Sequence, residues 1–391
     1  MKHLTHTRHI GPWLALSSLI ALAGCSSGED DTTPTGGGKV VITASAEELG
    51  LLGYSFPARA GAPSFGDGWE VRFEKILVVV GEVHLSEQPD RSPTDASQVG
   101  RRVAKLEGPF AVNLAAAGDR VGKGGGGERA FTLGELSGQN LNGDKPFDPE
   151  QRYAFGYDLV DATSSVTDFY GLEASDPDWA HMVEHGYTHL LVGTATFKGT
   201  SCSVSREGYD FDALPTEVTF RFGFESDVKM ENCQNPENTG APLGGEEFQR
   251  GIQVRQGDPV VTQITLHTDH LFWATVAHGA VPLFDPLAAR AQEVDGRYVV
   301  TLEDLEGAPL APLTDHTGEP LPWRSCVDPS EYTLPVTPRN VTFETEGNEA
   351  ISDHHDFLIF NASTMAHLNQ DGLCFVEGFE HSHDHDHDHD H

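Results

Sequence analysis

The stretch 216-TEVTFRFGFES-226 decides the fold class, because its apolar residues recur with a period of two. Val218, Phe220, Phe222 and Phe224 each stand two residues apart. In an extended chain successive side chains point to opposite faces, so these four share one face of a strand. The same pattern recurs at 69–85 (WEVRFEKILVVVGEVHL), 129–136, 153–160, 188–199, 258–268 and 297–305. Within the first of these, Ile76-Leu-Val-Val-Val80 is continuously apolar, which reads as a strand buried on both faces. Glycine and proline punctuate the runs at 122–127 (GKGGGG) and 238–245 (NTGAPLGG). GKGGGG lacks the Ser/Thr and following helix of a phosphate-binding loop, so it reads as a flexible loop.

Helices are few and short. Asp176-Pro177-Asp178 opens DWAHMVEH and Gly186 closes it, a proline start and a glycine stop. Two more are expected within 285–293 and 362–370. The expected fold is mainly β, an antiparallel β-sandwich-like body with a few short helices. Residues 39–380 suffice for one large or two ordinary domains. Polar residues near 165–180 suggest a boundary between 39–172 and 173–380.

The chain has 391 residues, 25 basic and 60 acidic, for a net charge of −35. Such a surface repels nucleic acid and anionic lipid headgroups, so no nucleic-acid partner is expected. Residues 1–9 are basic and free of acids, and an apolar run follows over 10–24. It ends in Leu22-Ala23-Gly24-Cys25, which resembles the lipobox of bacterial lipoproteins. The resemblance implies a signal peptide over 1–24, cleavage before Cys25, and a diacylglyceride on its sulfur. Two or three acyl chains anchor a protein stably, so the membrane is a partner through lipid. Ser26 stands where an aspartate would retain a lipoprotein at the inner membrane. That implies an outer-membrane lipoprotein, facing the periplasm or the cell surface, with an envelope protein partner left open. Residues 25–38 then form a flexible tether.

Cys202, Cys233, Cys326 and Cys374 remain, an even number in an oxidising compartment, which predicts two disulfides. Three pairings are possible, and the nearest-neighbour expectation is Cys202–Cys233 and Cys326–Cys374. No C-x-x-C occurs, so neither a redox motif nor a zinc knuckle is supported.

The strongest chemical signal is the tail 381–391, HSHDHDHDHDH. His381, His383, His385, His387, His389 and His391 supply imidazoles, which suit zinc or copper, and the aspartates add charge. Such a tail cannot form a core and is expected to be disordered without metal. It resembles the His/Asp tracts of zinc-handling periplasmic proteins and metal transporters.

In the body, His267-Thr-Asp269-His270, with His278, forms one cluster, and strand periodicity places Asp269 on the face of His267. Asp353-His354-His355-Asp356, with His367 downstream, forms another. His267, His270, His354 and His355 are the candidate body ligands, with aspartates fixing their tautomers. His181-Met-Val-Glu184-His185 resembles the inverted zinc motif of pitrilysin-type peptidases, which implies two zinc ligands and Glu184 as base. That family needs a long helical scaffold, which is not evident here, and a downstream glutamate ligand, which the many glutamates leave unassigned. Asn140-x-Asn142-x-Asp144 resembles the start of a calcium loop, but Gly143 and Gln151 fall at the wrong positions, so it reads as a polar turn. The expected function is a non-enzymatic lipoprotein that binds zinc or copper for sequestration, delivery or sensing. Two alternatives are a structural or adhesive envelope lipoprotein, and a zinc-dependent hydrolase using the H-x-x-E-H segment.

Overall fold

The computed structural model describes residues 38–59, 62–204, 211–225, 227–273, 280–308, 324–327 and 351–377. Cys25, the segment 1–24, the tether up to residue 37, His278 and the six tail histidines lie outside the described residues.

In chain order the elements that matter are β1 (Val40–Ser45), α1 (Glu47–Leu52), β2 (Trp69–Ser86), β3 (Arg129–Leu136), β4 (Arg152–Leu159), α2 (Pro177–His185) and β5 (His189–Phe197). They continue with β6 (Glu217–Phe224), β7 (Val228–Glu231), β8 (Val260–Leu266), α3 (Asp285–Ala288), α4 (His354–Ser363), β9 (Ala366–Leu368), β10 (Gly372–Leu373) and β11 (Phe375–Glu377). The larger sheet runs β6-β5-β2-β4-β7-β11, with every neighbouring pair antiparallel. The second runs β10-β9-β8-β1-β3, where only the β1–β8 pair in this series is parallel. The protein is therefore mainly β, with short helices, as the period-two pattern predicts.

Strand β2 shows why. Ile76, Val78 and Val80 enter the main core, which also takes Val40 and Ile42 of β1 and Val218, Phe220, Phe222 and Phe224 of β6. Leu77 and Val79 enter a second core with Trp179 and Met182 of α2 and Leu190 of β5. All five residues of the run are at most 1% exposed. Each such side chain contributes roughly 1.5–3 kcal/mol of burial. Helix α2 is therefore a cover over the outer face of the larger sheet. It starts at Asp176, whose side chain accepts from Asp178 N, and stops at Gly186 in the left-handed conformation. Lys75 reaches Asp176 and Asp178, both at 2.6 Å, and Arg221 reaches Asp178 at 2.6 Å, pinning the helix to the sheet.

The structure corrects three expectations and bears on a fourth reading, in which one domain or two are left open. Strands from both sides of position 172 share sheets: β2 pairs with β5 from Trp69↔Phe197 to Val78↔His189, and β1 pairs with β8. The described residues thus form one compact unit and not two domains meeting at 172/173. The disulfides are Cys202–Cys326 and Cys233–Cys374, not the nearest-neighbour pairs. Strand pairing decides this: Ser203 faces Ser325, and Glu231 faces Phe375, so each bridge flanks a ladder between distant segments. The helix expected within 362–370 ends by Ser363, and Ala366–Leu368 is a strand paired with Ile264–Leu266. The helix starts earlier because Asp353 caps it by accepting from Asp356 N. Within 285–293 the helix is only four residues, followed by strand Gln292–Val294. None of the described helices is long and apolar enough to cross a membrane.

Candidate metal centre

The site begins where β8 ends. Strand β9 runs antiparallel to β8 with Thr265 opposite His367, and His267 N donates to Met365 O at 2.8 Å. That ladder sets the His367 ring 4.3 Å from the His267 ring, centroid to centroid. After Leu266 the chain leaves the strand and coils through a 3-10 turn, Thr268–Phe272. The turn folds His270 back, 5.4 Å from His267 and 5.2 Å from His367. All three rings are buried, at 8%, 2% and 1% exposure for His267, His270 and His367.

Hydrogen bonds fix each tautomer. His267 Nε2 donates to the Gln370 carbonyl at 2.9 Å. His367 Nε2 donates to the Thr364 carbonyl at 3.1 Å. Thr364 Oγ1 donates to Asn361 O at 2.8 Å, so towards His270 it must accept, and His270 Nδ1 donates at 3.0 Å. The lone pairs therefore reside on His267 Nδ1, His367 Nδ1 and His270 Nε2. A metal-ligating histidine characteristically gives its other N–H to a protein oxygen in this way. Asp269 adds a carboxylate. Its ligand oxygen and ring nitrogens of His267 and His270 all lie within 4.8 Å of one another. Trp273 Nε1 donates to Asp269 Oδ2 at 3.0 Å, and the Trp273 ring stacks on His270 at 3.7 Å. The proximity of Asp269 comes from the 3-10 turn, since strand periodicity ends before it.

On the solvent side stands a cleft of about 400 Å³ bordered by Glu47, Arg59, Gly124, Glu128 and Gln370. Glu47 Oε1 is 3.8 Å from His267 Nε2. Burial pushes the Glu47 carboxyl up to about 7; His267 opposes the rise, and the charges of Asp269, Glu128 and Asp371 add to it. Gln370 links the parts, because its side chain donates to Glu128 and its N–H to Thr265 Oγ1. GKGGGG is not a loose loop here. Gly124 N donates to Glu128 Oε2 at 2.6 Å and Lys123 N to Gln263 Oε1 at 2.9 Å. A Cβ on Gly122 would fall 2.2 Å from Glu128 Cδ, so the carboxylate fills the space that glycine leaves. Among the described residues seven non-glycines adopt positive φ, and Glu47 (+59°), Asn369 (+50°) and Gln370 (+81°) are three of them. Backbone strain of this kind gathers at functional sites.

The other sequence candidates sit as follows. His354 is buried in the first turn of α4, with its ring 6.4 Å from Phe357 and its N–H on Ala308 O. Burial pushes its imidazole down to about 3, and Arg290 adds to the effect. His355 Nδ1 lies 3.6 Å from Asp356 Oδ1. Asp353, His355 and Asp356 form a second possible ligand group. Their carboxylates already serve the helix start: Asp353 accepts from Asp356 N and Gly307 N, and Asp356 from Ser352 N. The third ring beside His267 and His270 is His367, from outside the set of His267, His270, His354 and His355. Thr364, Gln370 and Glu47 had no signal in the sequence; their roles arise from the β8–β9 ladder and the turn after it. Asn140 grips Lys105 through both N and O, a polar turn as expected. Glu184 and His185 of the H-x-x-E-H segment are exposed on the nine-residue α2. Comparison with protein-family models, curated proteins and solved structures found no match to this chain.

Proposed function

We propose that this protein is a lipid-anchored extracytoplasmic lipoprotein that binds zinc or copper at a centre formed by His267, Asp269 and His270, with the His367 ring beside it. The observation that carries the reading is the gathering of ligand atoms of His267, Asp269 and His270 within 4.8 Å of one another, with His267 and His270 each giving an N–H to a protein oxygen, Gln370 O and Thr364 Oγ1. Two imidazole nitrogens and one carboxylate oxygen suit tetrahedral zinc with a fourth position left for another donor, and imidazole also suits copper. The lipobox ending at Cys25 and the two disulfides support an oxidising compartment outside the cytoplasm. The histidine tail would capture metal loosely and raise its concentration near the buried centre. Sequestration or delivery follows.

Competition titration with a chromophoric chelator tests this on the full chain, on His267→Gln/His367→Gln, and on a chain lacking 381–391. The double variant should lose the tightest metal equivalent, and the truncation should lose only weaker equivalents. Retention of the tightest equivalent by the double variant refutes the centre. Unchanged stoichiometry after truncation refutes the capture role of the tail.

A further inference from the structure

A second histidine pair lies elsewhere, on the outer helix. His181 and His185 are one turn apart on α2, and their rings approach to 4.3 Å. Residues at i and i+4 share a helix face, so both imidazoles project to the same side. Glu184 adds a carboxylate, and one ligand atom from each of the three lies within 4.8 Å of the others. Glu184 and His185 face solvent, and His181 is half-buried.

The pair is held in place. Tyr187, itself 8% exposed, stacks on His185 at 5.3 Å with 19° between the planes. It also meets His181 edge-on at 5.6 Å. The helix beneath cannot turn, because Trp179 and Met182 are locked in the second core and Gly186 N bonds to Met182 O. Rigid scaffolding of this kind is what a chelating pair needs, since little ordering is left to be done on binding.

We infer that His181, Glu184 and His185 form a second divalent-metal site, open to solvent, that takes zinc or copper with the remaining coordination positions filled by water or by a donor from another molecule. Two imidazoles and one carboxylate leave at least one position vacant on a tetrahedral ion. Such a site exchanges its metal more readily than a buried one. It stands independently of the buried centre, and either can exist without the other.

Carbethoxylation of histidine read by mass spectrometry tests this on the full chain, because each histidine peptide is scored separately and the tail does not interfere. The reagent attacks the ring lone pair, which a bound metal occupies. Saturating zinc chloride should slow modification of His181 and His185 together, by fivefold or more. His185→Ala should abolish the protection at His181, and Glu184→Gln should weaken it. His270→Gln should leave it intact, which separates this site from the buried centre. An unchanged His181 rate with zinc, or protection that persists in His185→Ala, overturns the site.

Discussion

The two histidine regions differ in how they are built. His181 and His185 meet through local geometry alone, one helical turn apart on a surface element. His267, His270 and His367 meet through a strand ladder spanning about a hundred residues of sequence, and they sit inside the protein. The first arrangement survives anything that preserves α2. The second depends on the body holding 267–270 and 364–370 together. Burial also changes the chemistry: outside, water competes for every ring nitrogen, whereas inside, each N–H is committed to one oxygen and the tautomer is fixed. Specificity should therefore belong to the buried centre and rapid exchange to the helix.

The largest break in this comparison should come from the Cys233–Cys374 bridge, which ties the segment after His367 to β7. Its loop closes 141 residues, so Cys233→Ala/Cys374→Ala should cost about 4 kcal/mol in urea unfolding. In the fraction still folded, metal affinity of the buried centre should drop while zinc protection at His181 stays. Equal losses at both sites would show that the regions are not independent.

Acid should act next, through two buried imidazoles, one near each region. His189 opens β5 directly after α2, and His354 opens α4. Burial pushes both down to about 3, from an ordinary value of 6.5 in the unfolded chain. Between those values the unfolded state binds protons that the folded state does not. Stability is therefore full above pH 6.5 and lost progressively as pH falls towards 3. At pH 5 each should cost about 2 kcal/mol relative to pH 7. His189→Gln and His354→Gln should each flatten the slope of stability against pH between 5 and 7. An unchanged slope would mean that burial does not hold these rings neutral.

The same contrast explains what the sequence reveals. The alternation in 216–226 and the double-faced run at 76–80 are local, and both strands fold as read. The capped helix at 176–186 is equally local, with Asp176 and Gly186 as its signals. Strand β1 carries no alternation, because all six of its residues are buried, and it follows a polar linker that masks it. The disulfide partners and the place of His367 are set by ladders between distant segments, which spacing along the chain does not encode. GKGGGG misleads for a different reason: its glycines make room for the Glu128 carboxylate, a requirement that looks like looseness when read alone.

Thr364 offers a smaller and sharper probe of the buried centre. Its Oγ1 receives His270, while its carbonyl receives His367. Thr364→Val keeps the shape and the carbonyl and removes only the hydroxyl. Loss of such an outer contact typically weakens metal binding 10–100-fold. Because one of the two contacts remains, about tenfold is expected by competition titration, with the α2 site unaffected. A full-strength centre in this variant would mean that the hydroxyl does not orient His270.

The smallest effect should come from the last residue of the helix cap. Gly186 has φ +67° and ψ 25°, and its N–H closes the final turn on Met182 O. A Cβ there would meet nothing nearer than Asp161 Oδ2 at 3.9 Å, so space is available and only the backbone conformation resists. Gly186→Ala should therefore cost about 1 kcal/mol, the penalty for a left-handed L-residue. Trp179 and Met182 remain buried, so the helix stays docked and the loss concentrates in the turn that carries His185. Zinc protection of His181 and His185 should weaken by a few fold, while titration of the buried centre is unchanged. If the buried centre weakens as much as the helix site, the cap is coupled to β8 and β9 through the larger sheet, and local geometry alone does not maintain the outer pair.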